Sequence, residues 1–419
     1  MNVLVFNYEY PPVGGGGGVV CAAIAEGMAG RHRIRVITSG FGDMPATEIR
    51  KGVEIHRVRV PGRRSLDEAS LLSMLGYPVA AVKRATELLR TEPCDLIHSH
   101  FAVPTGPASL VVAAMCQLPH VLSLHGGDLY DPSKRSSPHR LPPVRRTVDS
   151  VMRHSDAVVA TSSNVRGLVS AHYRWAGPVE TIPLGIQIPR WRKTSREALG
   201  LPPDAFVVVT VGRLVRRKAI DVLMAAVGRS GREDIHLVVV GSGQELEALE
   251  ATAKRQGLAS RVTFSGFVSE EKKWQLLAAS DAYASSSMHE GFGLVFLEAM
   301  AAGLPVVAFD HGGQSDFLED GLTGHVLPQG DVDALAGALA RIAAERGEAE
   351  RMGEYNRSRV GEFLIDGTIR RYEQLFERVL AAHGGRRHID AGRVPSEAPQ
   401  GLSSRREDTG NAPANILPT

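Results

Sequence analysis

A chain of 419 residues with 43% hydrophobic and 22% charged residues has room for two full cores and the composition of an ordinary globular protein. A formal net charge of +2 gives no reason to expect a nucleic-acid partner, and three scattered cysteines (Cys21, Cys94, Cys116) exclude a disulfide framework or a zinc site. No apolar run reaches the ~18 residues of a membrane span, and Met1-Asn2 leads into VLVFN without a charged leader, so a cytoplasmic protein is expected.

In chain order, strand-like apolar runs alternate with helical patterns. The first strand covers 3–7, a turn rich in glycine runs from Pro11 to Gly18, and a helix follows over 19–29. Strands are expected at 34–39, 53–60, 95–100, 120–125, 157–162 and 179–185, with helices at 68–90, 106–115 and 143–153 between them. At 186–195 the rhythm breaks, and a second series begins with strands at 206–212, 236–243, 261–267, 281–285 and 305–309. This alternation argues for two Rossmann-like, doubly wound parallel-sheet domains, with a ligand in the cleft that faces the C-terminal ends of both sheets. The expected domains are 1–187 and 188–367, followed by a helix over 368–383 and a disordered tail over 384–419.

Charge is uneven along this plan. The first domain is net basic and the rest net acidic, with clusters at Arg57, Arg59, Arg63 and Arg64 and at Lys134, Arg135, Arg140, Arg145 and Arg146. Two readings stay open, a solvated surface or contact with anionic lipid headgroups at the inner face of a membrane or with a phosphorylated acceptor.

The stretch 281–309 concentrates the chemistry. Its glycines place Glu290 in a loop and Glu298 one turn into the helix LVFLEAMAA, beside an N-terminus whose free N–H groups attract an anion. Two carboxylates next to an anion site suit a ligand with both phosphate and hydroxyl groups, as a sugar nucleotide has. Arg213 and Lys218 in TVGRLVRRK supply a donor fork and a point charge for a pyrophosphate at the mouth of the second sheet. The five glycines 14–18 let a backbone approach a phosphate or sugar closely, but they match neither a dinucleotide fingerprint nor a P-loop. His125 opens HGGD at a strand end and points to the same cleft. His98 and His100 share one side of a strand, yet no third ligand has metal-site spacing. Asp331 and Asp333 imitate an Asp-x-Asp metal motif, but they open a helix and read as an N-cap and a dipole partner.

HEGFGLVFLEAMAAGLPVVA is similar to the E-x7-E signature of glycosyltransferase family 4, the retaining GT-B glycosyltransferases. GRLVRRKAID resembles the family's donor-phosphate loop, and VVVGSG with Gly241 and the early glycine loop also agree, so the resemblance covers residues 1 to about 382. It implies a GT-B fold and a hexosyltransferase-class reaction, moving a sugar from a nucleotide-diphosphate donor to an acceptor hydroxyl with retention at the anomeric carbon. It implies no cofactor and no metal. By matching position, Glu298 would bind the ribose, and Glu290 and His125 would sit at the donor sugar. Arg213 and Lys218 would hold the diphosphate; Phe292, Gly293, Leu294, Gly16, Gly17 and Gly241 would contribute contacts, largely through the backbone.

The acceptor is expected to be a glycolipid, a lipid-linked or envelope-polysaccharide precursor, or a small molecule. The alternatives are a nucleotide-sugar epimerase of the same fold and a non-catalytic nucleotide-sugar-binding protein. Four positions depart from the family: Ala219 replaces a glycine after Lys218 and is expected to shift the loop slightly, Leu184 and Gln187 stand in the hinge where Asn and Asp are common, and Asp316 stands where Glu is usual.

Overall fold

Short runs rich in β-branched residues form strands, and the amphipathic runs between them form helices, in a computed structural model that describes residues 1–66 and 69–391. The first series holds β1 (Asn2–Phe6), α1 (Gly16–Met28), β2 (Arg33–Ser39), β3 (Thr47–Arg50), β4 (Val53–Val58), α2 (Leu71–Thr91), β5 (Leu96–His100), α3 (Gly106–Cys116), β6 (His120–Leu124), α4 (Pro142–Arg153), β7 (Ala157–Ala160), α5 (Ser163–His172) and β8 (Glu180–Thr181). The second holds β9 (Phe206–Val211), α6 (Ile220–Arg229), β10 (Ile235–Val240), α7 (Leu246–Arg255), β11 (Val262–Gly266), α8 (Glu270–Ala279), β12 (Ala282–Ser285), α9 (Leu294–Ala302), β13 (Val306–Phe309), β14 (Gly324–Leu327), α10 (Val332–Ala344), α11 (Arg346–Arg359) and α12 (Ile365–Ala391).

These strands build two sheets, in the orders β3-β4-β2-β1-β5-β6-β7-β8 and β11-β10-β9-β12-β13-β14. Among the described residues every named pairing is parallel except β3 with β4. Strand direction of growth reverses between β1 and β5 in one sheet and between β9 and β12 in the other. Central strands such as β9 and β10 are buried along their whole length, which is why they read as unbroken apolar runs rather than alternating ones. Each fully buried Val or Ile there stabilises the fold by about 1.5–3 kcal/mol.

Met1–Leu380 form one compact unit, and from Ala381 the described chain is the end of α12. Within the compact unit the chain crosses between the sheets twice, at one place. Ile186 donates its N–H to the Phe363 carbonyl and accepts from Ile365, both at 2.9 Å. A Cβ on Gly185 would stand 2.5 Å from the Leu364 carbonyl carbon, so a side chain there would push the two crossings apart. After the second crossing α12 lies on the first sheet. The Tyr372 hydroxyl meets Ser123 Oγ of β6 at 2.8 Å, Glu373 pairs with Arg31 and His32, and Arg378 pairs with Glu180.

Several expected bounds move. The strand expected over 179–185 shrinks to Glu180–Thr181, because Pro183 has no N–H to give and the chain leaves the sheet for the crossing. Helix α1 begins at Gly16 rather than Val19, so the last three glycines form its first turn. The polar edge strand β3 and the short β14 lack an apolar period and escape a reading by pattern. Helix α12 continues to Ala391, past the expected end at 383, since two glycines cost a helix only about 1 kcal/mol each. The rest of the expected disordered tail, 392–419, lies outside the described residues. Asp331 does cap α10, accepting the Ala334 N–H at 2.9 Å, and Asp333 pairs with Arg229. No helix among the described residues is long and apolar enough to cross a membrane.

Candidate active site

Doubly wound sheets bind ligands beyond the strand ends where their order reverses. In the first sheet the loops at that point are the glycine loop after β1 and the segment after β5. In the second they are 212–219 after β9 and 286–293 after β12. Three of the stretches singled out in the sequence are thus switch-point loops, and His125 follows β6, one strand away.

The loop after β12 is shaped by contact with the other half of the molecule. A Cβ on Gly291 would stand 2.0 Å from the His125 carbonyl oxygen, and Gly293 takes φ 92° as it starts α9. Ser162 Oγ donates to the Gly291 carbonyl at 2.7 Å, and the Ser163 N–H donates to Asp316 Oδ2 at 2.8 Å, with Ser163 Oγ also bonded to Oδ1. The shorter Asp316 therefore reaches the N-terminus of α5 across the cleft. The His289 ring lies against Tyr130, and both of its nitrogens are buried without a partner.

Glu290 sits at the centre of the charged side. Its Oε1 accepts from Lys218 Nζ at 2.5 Å, and its Oε2 lies 3.6 Å from Arg217 Nη1. Burial alone would raise this carboxyl; the Lys218 ammonium and then the Arg217 guanidinium outweigh it and hold the group at about 2. Burial also lowers Lys218, against the pull of Glu290. The loop that brings these cations is a tight turn over Arg216–Lys218, closed by Ala219 at φ 47° and ψ 42°. Ala219 thus occupies the left-handed region, which costs an alanine roughly 1–2 kcal/mol relative to glycine. Arg217, unnamed by the sequence reading, was hidden in a run of three basic residues.

Glu298 lies on α9, and the side chain is nearly enclosed. Its Oε1 accepts from Lys273 Nζ at 2.7 Å, while Oε2 is buried with no hydrogen-bond partner. Burial raises its carboxyl, with Lys273 opposing. Phe292 turns its ring inward to Phe317 at 5.3 Å, so it can offer a ligand only its backbone, and Leu294 begins α9. Gly241 faces the loop after β9, where a Cβ would come 2.0 Å from the Gly212 carbonyl oxygen.

The opposite wall is lined by imidazoles. His125 Nε2 is 2.9 Å from His100 Nδ1, so one imidazole donates to the other. Its backbone N–H donates to Asp128 Oδ1 at 3.0 Å, and Phe101 packs on its ring at 4.6 Å. Burial lowers His125 to about 4 and His98 to about 3, so both are uncharged at neutral pH. His98 bonds Ser123 and not a metal partner; among the described residues no three His, Cys, Asp or Glu side chains are grouped to hold a metal ion. In the glycine loop, a Cβ on Gly15 would lie 3.2 Å from the Arg213 guanidinium carbon, which brings Arg213 across the cleft. Open space surrounds the Gly16 position, whereas a Cβ on Gly17 would meet the Phe101 ring. Glu9 Oε2 accepts the Gly15 N–H at 2.9 Å. The His100–His125 pair crosses between strands, and local spacing carries no trace of it; Asp128 and Glu9 bond N–H groups of their own loops.

Two facing doubly wound halves with a charged loop cluster opposite a neutral histidine wall make a GT-B glycosyltransferase architecture, and relatives agree. The family described as Glycosyltransferase Family 4 matches residues 14–190, and Glycosyl transferases group 1 matches residues 192–359. The chain is 31% identical over 380 residues to a D-inositol 3-phosphate glycosyltransferase of Rhodococcus opacus, covering 82% of this chain and 81% of the relative. It is 26% identical over 387 residues to an N-acetyl-alpha-D-glucosaminyl L-malate synthase of Bacillus anthracis, covering 88% and 96%. Sucrose-phosphate synthase from Thermosynechococcus elongatus shares the fold with a TM-score of 0.80 at 22% identity, over 91% of this chain and all of that one (100%). Anabaena HepE in complex with UDP and glucose shares it with a TM-score of 0.74 at 22% identity, over 90% and 100%. The chain belongs to the family 4, group 1 glycosyltransferases and is an enzyme of that class.

Proposed function

We propose that this glycosyltransferase transfers a sugar from a nucleotide-diphosphate donor to an acceptor hydroxyl with retention of anomeric configuration and without a metal. The observation that carries the reading is Glu290, ionised between Lys218 and Arg217 and set opposite His125. Arg213 and Lys218 balance the charge that leaves with the diphosphate when the bond to the anomeric carbon breaks. The new bond forms from the acceptor oxygen on the same face, and the acceptor's proton goes to the departing phosphate. Glu290 stabilises the cationic sugar carbon in between, and neutral His125 accepts or donates at a sugar hydroxyl. A ribose hydroxyl satisfies the orphaned Oε2 of Glu298.

In this reading residues 188–367 hold the donor and 1–187 the acceptor, with Gly16 at the opening and the backbone of Phe292, Gly293 and Leu294 facing the donor sugar. That HepE was solved with UDP and with UDP-glucose supports a donor of this kind. The acceptor class that suits the basic first half is a glycolipid or a lipid-linked envelope-polysaccharide precursor, reached by peripheral contact with the inner membrane face.

The test is proton NMR of the product formed from a panel of nucleotide sugars and model acceptors in chelator. A new glycoside with the donor's anomeric configuration is expected. Inversion, a requirement for divalent metal, or free epimerised donor with no transfer would overturn the reading.

A further inference from the structure

Helix α2 has two apolar faces. One packs Tyr77, Ala81, Ala85 and Leu88 into the core beneath it. The other is turned to solvent: Leu71, Leu72, Leu75 and Val79 are 74%, 58%, 66% and 75% exposed. Four large apolar side chains on successive turns of one helix make a patch rather than scattered surface residues. Basic groups rim it. Arg59 and Arg64 before the helix and Lys83 and Arg90 along it are exposed, and the segment 57–90 carries seven Lys and Arg against three Asp and Glu. An apolar stripe bordered by cations suits a surface that is hydrocarbon beneath and anionic above. A second copy of the chain fits it less well, because four side chains on one helix fall far short of the roughly 800 Å² per partner of a stable dimer and its cations would face one another.

The patch is joined to the cleft. The Gly14 N–H donates to the Leu66 carbonyl at 2.7 Å, just before the helix, and the Arg63 guanidinium lies over the Tyr8 ring at 4.8 Å. The Tyr8 hydroxyl in turn meets Ser73 Oγ, in the first turn of α2, at 2.7 Å. The start of the apolar face is thereby fixed to the glycine loop.

We propose that this face of α2 docks on an anionic lipid bilayer. Leu71, Leu72, Leu75 and Val79 enter the headgroup boundary, and Arg59, Arg64, Lys83 and Arg90 meet lipid phosphates. Docking then sets the glycine-loop side of the cleft beside the bilayer, where a lipid-linked acceptor presents its hydroxyl. That last step rests on the transferase reading above; the docking itself does not.

The full chain is floated with vesicles of phosphatidylglycerol and phosphatidylcholine and with phosphatidylcholine alone. Binding to the anionic vesicles, weakened by salt, is the expected result. The variant L71S/L75S/V79S is expected to lower the vesicle partition coefficient by at least tenfold, at about 0.8 kcal/mol per CH₂ withheld from the bilayer. The variant R64E/K83E is expected to lower it at least fivefold on anionic vesicles alone, and it carries the test should the first variant fold poorly. Absence of binding, binding untouched by both variants, or a dimer that dissociates in the triple variant would overturn the proposal. Melting-temperature shifts with nucleotide sugars are recorded on the same samples. Docking with no such shift would sink the donor reading and leave the bilayer assignment standing.

Discussion

The two walls of the cleft handle charge in opposite ways. On the wall built from the second sheet, Glu290 is ion-paired with Lys218 and Arg217, and Glu298 with Lys273. On the wall built from the first sheet, burial lowers His98, His100 and His125, so their rings are uncharged at neutral pH, and the Asp128 carboxyl beside them accepts the His125 backbone N–H. A paired charge can exchange its partner for a ligand's diphosphate. A buried neutral imidazole gives hydrogen bonds to uncharged hydroxyls and adds no field of its own. In the proposed reading the second-sheet wall takes the donor, with its cations at the diphosphate and Glu290 at the sugar carbon, and the first-sheet wall meets sugar and acceptor hydroxyls.

The division breaks most visibly at its centre. Glu290→Gln should lower kcat by about 10²–10³ through loss of charge stabilisation in the transition state. It also leaves Lys218 and Arg217 close together without their carboxylate, so a lower melting temperature should accompany the loss. Steady-state rates and a thermal melt on the same preparation check both. Gly291→Ala sharpens the contrast from the other direction. Its Cβ cannot coexist with the His125 carbonyl oxygen at 2.0 Å, so the walls cannot meet. Turnover should fall about 100-fold while donor affinity, measured by calorimetry, stays near that of the parent.

Acid should expose the neutral wall. His98 stands at about 3 and His125 at about 4 in the folded chain, against about 6.5 when unfolded. Folding depresses them, so the unfolded chain takes up protons first and stability falls as pH drops below about 6.5. Between pH 6.5 and 5 each group costs about 2 kcal/mol, a large share of ordinary domain stability for the two together. Glu290, also depressed, adds its loss only below about 4.5, through its folded value of about 2. Urea midpoints at pH 7 and pH 5 measure the fall, and a flat profile between them would contradict the neutral wall. The smallest effect belongs to the loop of the charged wall: Ala219→Gly relieves a left-handed alanine and should raise stability by roughly 1 kcal/mol without altering kcat.

How far each wall could be read in the sequence follows from the same contrast. Glu290, Arg213 and Lys218 lie in two continuous loops and Glu298 one turn into the helix after the second, so spacing placed the two acids beside one helix start and the two cations at the mouth of the same sheet. The neutral wall is assembled across strands: His100 meets His125 from β5 to β6, and Tyr372 reaches Ser123 from the far end of the chain. Such pairs are neighbours only once register is set, and register is not a local property. The alternation of strands and helices disclosed both sheets. It did not disclose β3, which is polar, or the brevity of β8, which Pro183 and the crossing at Ile186 impose.

In the proposed reading the charged wall holds the donor's diphosphate by its own cations. The direct measurement is the melting temperature with UDP, GDP and ADP, each with and without chelator, for the parent chain and for Lys218→Met. At least one nucleotide should raise the parent's melting temperature equally in both conditions, and Lys218→Met should remove most of that rise. A rise that chelator abolishes, or one that Lys218→Met leaves intact, would contradict the account.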